Sequence, residues 1–142
     1  MCGCDMDHFN KALISQIRQL NLYQEVILLG EKSNMESIYN SLDLLICTSL
    51  TESFSLVVVE ALACGKEVIG SDIPALRKII KEENLIEPNN YLLFAEMTLN
   101  IIKNKFNKKL VSKKNRDSVF RKYNINNTIK AYYKTYKEFF IN

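Results

Sequence analysis

No stretch of this 142-residue sequence approaches the roughly 20 consecutive apolar residues that a bilayer-spanning helix requires. The opening residues, Met-Cys-Gly-Cys-Asp-Met-Asp-His, lack a basic segment followed by an apolar one, so they do not read as a secretory signal. The expectation is a cytoplasmic protein. The four cysteines build no disulfide framework: Cys47 and Cys64 lie in apolar runs, where a thiol behaves as a small hydrophobe. Cys2 and Cys4 form a C-x-C with His8 nearby, but no second Cys/His pair follows to complete the four ligands of a structural zinc. No metal is therefore expected. Internal repeats and low-complexity linkers are also missing, and the length suits one domain.

Hydrophobic residues make up 47% and charged residues 25% of the chain, the proportions of an ordinary globular protein. The charge is segregated. Residues 1–102 carry 7 Lys/Arg against 14 Asp/Glu, a balance of −7, whereas residues 103–142 carry 12 against 2, a balance of +10. A basic end of this kind suits a solvated helical face, an anionic surface, or an acidic face of the same protein. Peripheral contact with the inner face of a membrane stays open. Nucleic-acid binding is not expected, because no recognition motif or aromatic–Gly pattern accompanies the lysines.

Apolar spacing places an amphipathic helix over 7–20, through Phe9, Leu13, Ile14, Ile17 and Leu20. Residues 25–29 read as a buried strand closed by Gly30. A short helix over 35–41, with Ile38 and Tyr39 inward, leads to a strand over 42–47. The run Leu56–Cys64 is strand or helix by periodicity. Three features favour helix: Ser55 offers an N-cap, Ala61-Leu62-Ala63 has high helix propensity, and Gly65 suits the C′ position. Further expectations are a strand over 67–70, a helix over 75–83, a short strand over 84–87 stopped by Pro88, and helices over 91–104, 107–122 and 125–140.

Strands separated by helices imply right-handed crossovers and a Rossmann-like α/β fold, a parallel sheet with helices on both faces and a helical C-terminal extension. The core is expected over 1–90, with the helices of 91–142 packing on the same domain. No strand precedes the first helix, where a doubly wound domain would normally have one; a truncated unit is the expectation.

Ligands of open parallel sheets sit beyond the carboxyl ends of the strands. Those ends deliver Gly30-Glu31, Thr48 to Ser55, and Gly70-Ser71-Asp72. Glu60 interrupts an otherwise apolar helix, and an unpaired buried carboxylate costs several kcal/mol. Its side chain should lean toward Leu56, about 6 Å from the helix start, where free N–H groups and the helix dipole suit a phosphate. Phosphates on the amides and a ribose diol on Glu60 match a nucleotide, with Glu52 across the phosphates beside a sugar. Equally open on spacing are a Glu60 that fills a backbone gap or pairs with a lysine, and a Glu52 on plain loop surface.

Glu52 and Glu60, with seven residues between them and Ala61-Leu62-Ala63-Cys64-Gly65 behind, resemble the E-x(7)-E segment of the family-4 (group 1) retaining glycosyltransferases. The similarity covers most of the chain. It takes in the turn at Gly3 and Asp5, Val26–Gly30, Ser41–Ser49, Ser71-Asp72-Ile73-Pro74, and Leu85-Ile86-Glu87-Pro88. The resemblance implies the C-terminal donor-binding half of the two-domain GT-B fold and a UDP-, GDP- or ADP-sugar donor, in glycan or glycolipid biosynthesis. It implies Glu60 on the donor ribose, Glu52 as the catalytic residue at the transferred sugar, and backbone amides of Ser53, Phe54, Ser55, Leu56 and Val57 on the donor. Gly3 and Gly30 complete the donor set, Gly30 near the base. No cofactor or catalytic metal is implied, in keeping with the lack of a D-x-D motif.

Departures from the family pattern carry their own expectations. Ser53 and Ser55 replace two common glycines, a cost of about 1–2 kcal/mol if either backbone is left-handed. Lys78 stands where a glutamate is usual, and Lys66-Glu67 replace the usual x-Pro after Gly65. The family's diphosphate-neutralising Arg and Lys and its acceptor domain fall upstream of Met1, so the chain by itself is expected to be inactive. The alternative is a truncated, non-catalytic nucleotide-binding or protein-interaction module.

Overall fold

The computed structural model describes residues 1–104 and 108–140. The chain forms two compact units, Met1–Ser37 and the remainder from Ile38.

In the first unit, helix α1 spans Lys11–Gln19. It starts four residues later than the apolar spacing predicts because side chains near its start favour other turns. Asp7 Oδ1 accepts from the Phe9 N–H at 2.8 Å, an Asx turn that holds the backbone out of the helix. Asn10 is the cap instead, its side chain accepting from the Leu13 N–H at 3.0 Å. The helix ends in a Schellman motif: Asn21 is left-handed at φ 54°, its N–H bonds to the Arg18 carbonyl, and Leu22 N–H bonds to that of Ile17.

The strand expected over 25–29 is not formed as a sheet strand. Residues 26–30 are irregular: the Val26 N–H bonds back to Leu22 O at 3.1 Å, and further bonds run to the first residues of the chain. The Met1 amino group donates to Ile27 O at 2.5 Å, Leu29 N–H to Met1 O at 2.8 Å, and Gly3 N–H to Gly30 O at 2.9 Å. A sheet strand is defined by its ladder, and these bonds do not form one.

In the second unit the sheet is parallel, in the order β1 (Leu44–Cys47), β2 (Glu67–Ser71), β3 (Leu85–Ile86). Helix α2 (Met35–Ser41) precedes β1, and α3 (Leu56–Ala63) is the crossover from β1 to β2. The helix expected over 75–83 is shorter: α4 spans Pro74–Arg77, and a 3-10 turn follows at Glu82–Asn84. The register explains the difference. Gly70 pairs with Leu85, so the chain re-enters the sheet one residue below the point where it left, and a nine-residue helix about 13 Å long would overshoot. Gly70 also leaves room for α4 and the residues after it to close down, since a Cβ there would stand 3.0 Å from Leu76 Cδ1 and 2.6 Å from Ile80 Cδ1.

The last three helices are α5 (Tyr91–Lys103), α6 (Lys108–Tyr123) and α7 (Ile125–Phe140). They follow the expected segments, apart from residue 107, which lies outside the described residues. On one side of the sheet Ile69, Ile86 and Phe94 form a buried cluster with Leu44, Met97 and Ile101 against it. On the other, Val58 and Ala61 of α3 are fully buried. Among the described residues no helix is long and apolar enough to cross a membrane.

The turn from α3 into β2 fixes where α6 lies. Gly65 is left-handed at φ 75°, its N–H bonded to Leu62 O and the Lys66 N–H to Ala61 O, both at 2.9 Å. Asn115 of α6, itself buried, donates from Nδ2 to Lys66 O at 2.8 Å. A Cβ on Gly65 would collide with Ser112 Oγ and press on Arg116. Gly65→Ala is therefore expected to lower stability by about 2–4 kcal/mol, combining left-handed strain with overpacking. Chemical denaturation checks this; a loss below about 0.5 kcal/mol would show that α6 does not seat on the turn.

Candidate functional site

Helix α3 presents its amino end beyond Cys47, at the carboxyl edge of β1. Ser55 occupies the N-cap position with extended backbone (φ −87°, ψ 94°), and its side chain, almost wholly buried, makes no capping bond. The expected serine cap is thus absent: the residue is positioned as a cap but its hydroxyl makes no bond to the helix amides. The Ser55 side chain leaves the amide donors that open α3 uncapped, so this helix end keeps its capacity for an anion. Ser53 is not left-handed, and neither is Ser55; among described non-glycine residues only Asp5, Asn21 and Asn89 have positive φ. The two serines therefore carry no left-handed strain where the family has glycines.

Glu60 is exposed rather than buried. Val58 and Ala61 turn inward, whereas Leu56, Val57, Glu60 and Ala63 form a solvent-facing stripe. The hydrophobicity of α3 thus conceals an open face, apolar at its amino end, with a single carboxylate one turn along. The Tyr39 hydroxyl donates to Glu60 Oε2 at 2.9 Å. Among the described residues Glu60 enters no ion pair, so the lysine pairing left open on spacing is not seen. Glu52 is held in the same manner: Ser49 Oγ donates to its Oε1 at 2.9 Å, and the buried Cys47 Sγ lies 3.6 Å from that hydroxyl. Phe54, half exposed, meets Tyr123 edge-to-face at 5.5 Å between ring centres.

Gly3 and Gly30 belong to the first unit. Both have positive φ (136° and 63°), so each turn favours glycine, and they are joined by the Gly3 N–H to Gly30 O bond. Nearby, the carboxylates of Asp5 and Glu31 push the Cys4 thiol above its ordinary pKa. Among the described residues no group of three or more His, Cys, Asp or Glu is placed to hold a metal ion.

The loop after β2 carries a forked ion pair: Arg77 Nε donates to Asp72 Oδ1 at 2.6 Å and Nη2 to Oδ2 at 3.1 Å. The Ser71 hydroxyl beside it is buried without a hydrogen-bond partner. Lys78, where the family has a glutamate, contributes its carbonyl, which accepts from Lys122 Nζ at 2.5 Å and Tyr123 OH at 3.4 Å. Sequence reasoning missed the roles of Tyr39 and Tyr123, and gave Ser49 only as part of the loop beyond the strand end. For Tyr39 a signal existed, since a tyrosine at an inward position needs a partner for its hydroxyl. For Ser49 and Tyr123, which sit in or beside loops, periodicity carries none.

A family model described as glycosyl transferases group 1 matches residues 1–134. The chain belongs to the group 1 glycosyl transferases. Among curated members it is 24% identical over 123 residues to the N-acetyl-alpha-D-glucosaminyl L-malate synthase of Bacillus anthracis, covering 84% of this chain and 32% of that protein. It is 28% identical over 72 residues to the lipopolysaccharide core biosynthesis mannosyltransferase LpsB of Rhizobium meliloti, covering 51% and 20%. The chain thus spans a third or less of the length of either relative. Of the solved structures, Anabaena HepE in complex with UDP superposes with a TM-score of 0.88 at 21% identity, over 96% of this chain and 40% of that one. The C-terminal domain of a group 1 family protein from Francisella tularensis superposes at 0.70 with 27% identity, over 81% and 62%. The parallel sheet with surrounding helices and a helical C-terminal end is that of GT-B glycosyltransferases.

The Asp72–Arg77 fork has a testable pH signature. The hydrogen bond from Arg77 holds the Asp72 carboxyl below its ordinary pKa, and Asp72 in turn raises that of Arg77. An acid whose pKa is depressed by folding contributes stability above its unfolded value, about 3.9, and loses it as pH falls through the folded one. The stability difference between wild type and Arg77→Ala should therefore be constant from pH 7 to about 5 and shrink below about 4. Urea midpoints at each pH measure it; a difference that persists undiminished at pH 2 would rule out the fork as its source.

Proposed function

We propose that this chain is the donor-binding half of a nucleotide-sugar-dependent retaining glycosyltransferase that works in glycan or glycolipid assembly. The observation that carries the reading is the uncapped amino end of α3 with an exposed, hydroxyl-held carboxylate one turn along it. HepE structures contain UDP, UDP with glucose, or UDP-glucose, which supports a nucleoside diphosphate as the class of ligand.

On this reading the amides from Ser53 to Val57 receive the diphosphate, favoured by the helix dipole. Glu60 accepts hydrogen bonds from the two ribose hydroxyls, and Glu52 faces the transferred sugar and stabilises positive charge developing at its anomeric carbon. The bond from that carbon to the diphosphate oxygen breaks, and a bond to the acceptor oxygen forms on the same face. The nucleoside diphosphate leaves with the electron pair, and its departing oxygen takes the proton that the acceptor hydroxyl gives up. No cofactor is invoked.

The second reading, an interaction module without catalysis, is favoured by α7. None of its residues is buried, and Tyr132, Tyr133, Tyr136, Phe139 and Phe140 are all exposed. A thermal-shift series with UDP, GDP and ADP separates the two, because a ligand that binds only the folded state raises the melting temperature. One nucleotide is expected to raise it, and Glu60→Gln to weaken that nucleotide's binding by about 1–3 kcal/mol through loss of charge-assisted bonds to the diol. If all three leave the melting temperature unchanged, the donor reading gives way to the interaction module.

A further inference from the structure

We infer that Tyr39 is a positioning residue for the donor ribose, setting the orientation of the Glu60 carboxylate; the inference rests on the donor-site reading above. Tyr39 is 2% exposed, so its ring is fixed in the core while its hydroxyl reaches an exposed acid. A glutamate on an open helix face otherwise samples several rotamers, and ordering it on ligand arrival costs conformational entropy. A bond at 2.9 Å to Oε2 meets that cost in advance, as preorganisation of the first contact group requires. Oε1 stays available, and so does the remaining acceptor capacity of Oε2, enough for two ribose hydroxyls.

The platform beneath Tyr39 is itself anchored. Lys66 Nζ donates to the carbonyl of the neighbouring Asn40 at 2.9 Å, and the Lys66 carbonyl accepts from buried Asn115 at 2.8 Å. The hydroxyl is therefore tied, through α2, to the turn that ends α3 and to α6. The partner's chemistry matters as much as its placement. A lysine at this position would neutralise the carboxylate and compete with the diol; a phenol donates one hydrogen bond and leaves the negative charge in place.

The test is a set of thermal-shift and calorimetric titrations of the full chain with UDP, GDP and ADP and with their 2′,3′-dideoxy counterparts. Tyr39→Phe should lower affinity for the best-binding ribonucleotide by roughly three- to tenfold and leave its dideoxy analogue unchanged. A purely structural role for Tyr39 would weaken both alike, and that result overturns the inference. If Glu60→Gln weakens ribonucleotide binding but Tyr39→Phe does not, the inference fails while the donor reading stands. If Glu60→Gln changes nothing, or no nucleotide binds, the donor reading falls and takes the inference with it. A measurement that needs no variant is the side-chain order of Glu60 by NMR without nucleotide. One dominant rotamer is expected, and free averaging among rotamers overturns the inference.

Discussion

Two parallel neighbouring strands cannot be joined by a tight turn; the chain must travel back along the sheet before the second strand begins. Between β1 and β2 that return is made by α3, and its length is matched to the task. Eight helical residues advance about 12 Å, close to the roughly 10 Å of the four-residue span Leu44–Cys47 that β2 pairs alongside. The direction of α3 is thereby fixed: its carboxyl end meets the start of β2, and its amino end stands beyond the carboxyl edge of β1. The exposed stripe, the uncapped amides and both glutamates occupy that edge because the crossover leaves them nowhere else.

Gly65 makes the join short enough to work. Its left-handed backbone closes α3 and launches β2 within three residues, while the lack of a side chain lets α6 approach. The same turn supplies the Lys66 carbonyl and ammonium that bond Asn115 and Asn40. One glycine thus links the geometry of the sheet to the anchoring of α2 and α6, although it stands at the opposite end of α3 from the candidate ligand contacts.

Elements whose signal is local were legible in the sequence: α2, β2 and α7 lie within one residue of where apolar spacing puts them, and α3 within one residue of where Ser55, the Ala61-Leu62-Ala63 stretch and Gly65 put it. Elements that depend on distant pairing were not. Residues 25–29 carry a strand composition, yet a ladder also needs a neighbour in register, which composition cannot supply. The residues after Pro74 carry a helical pattern, yet the register of Gly70 with Leu85 leaves room for little more than one turn. The candidate site divides along the same line. The spacing of Glu52 and Glu60 could be read, but which face of α3 is buried is decided by the sheet and α6, so the expectation of a buried Glu60 failed.

That failure clarifies how the acids are kept ready. A buried carboxylate needs a cation or several donors to offset its desolvation. An exposed one needs only an orienting partner, because water already solvates the charge. Tyr39 and Ser49 are such partners: each offers one O–H, and neither brings a positive charge. On the donor reading this is what the chemistry calls for. Glu52 must keep its charge if it is to stabilise positive charge at the anomeric carbon, and Glu60 must keep acceptor capacity for two ribose hydroxyls. Three cations of this unit are engaged elsewhere: Arg77 grips Asp72, while Lys66 and Lys122 donate to the carbonyls of Asn40 and Lys78. Among the described residues neither glutamate holds an ion pair, so a ligand rich in hydroxyls can satisfy both without displacing one.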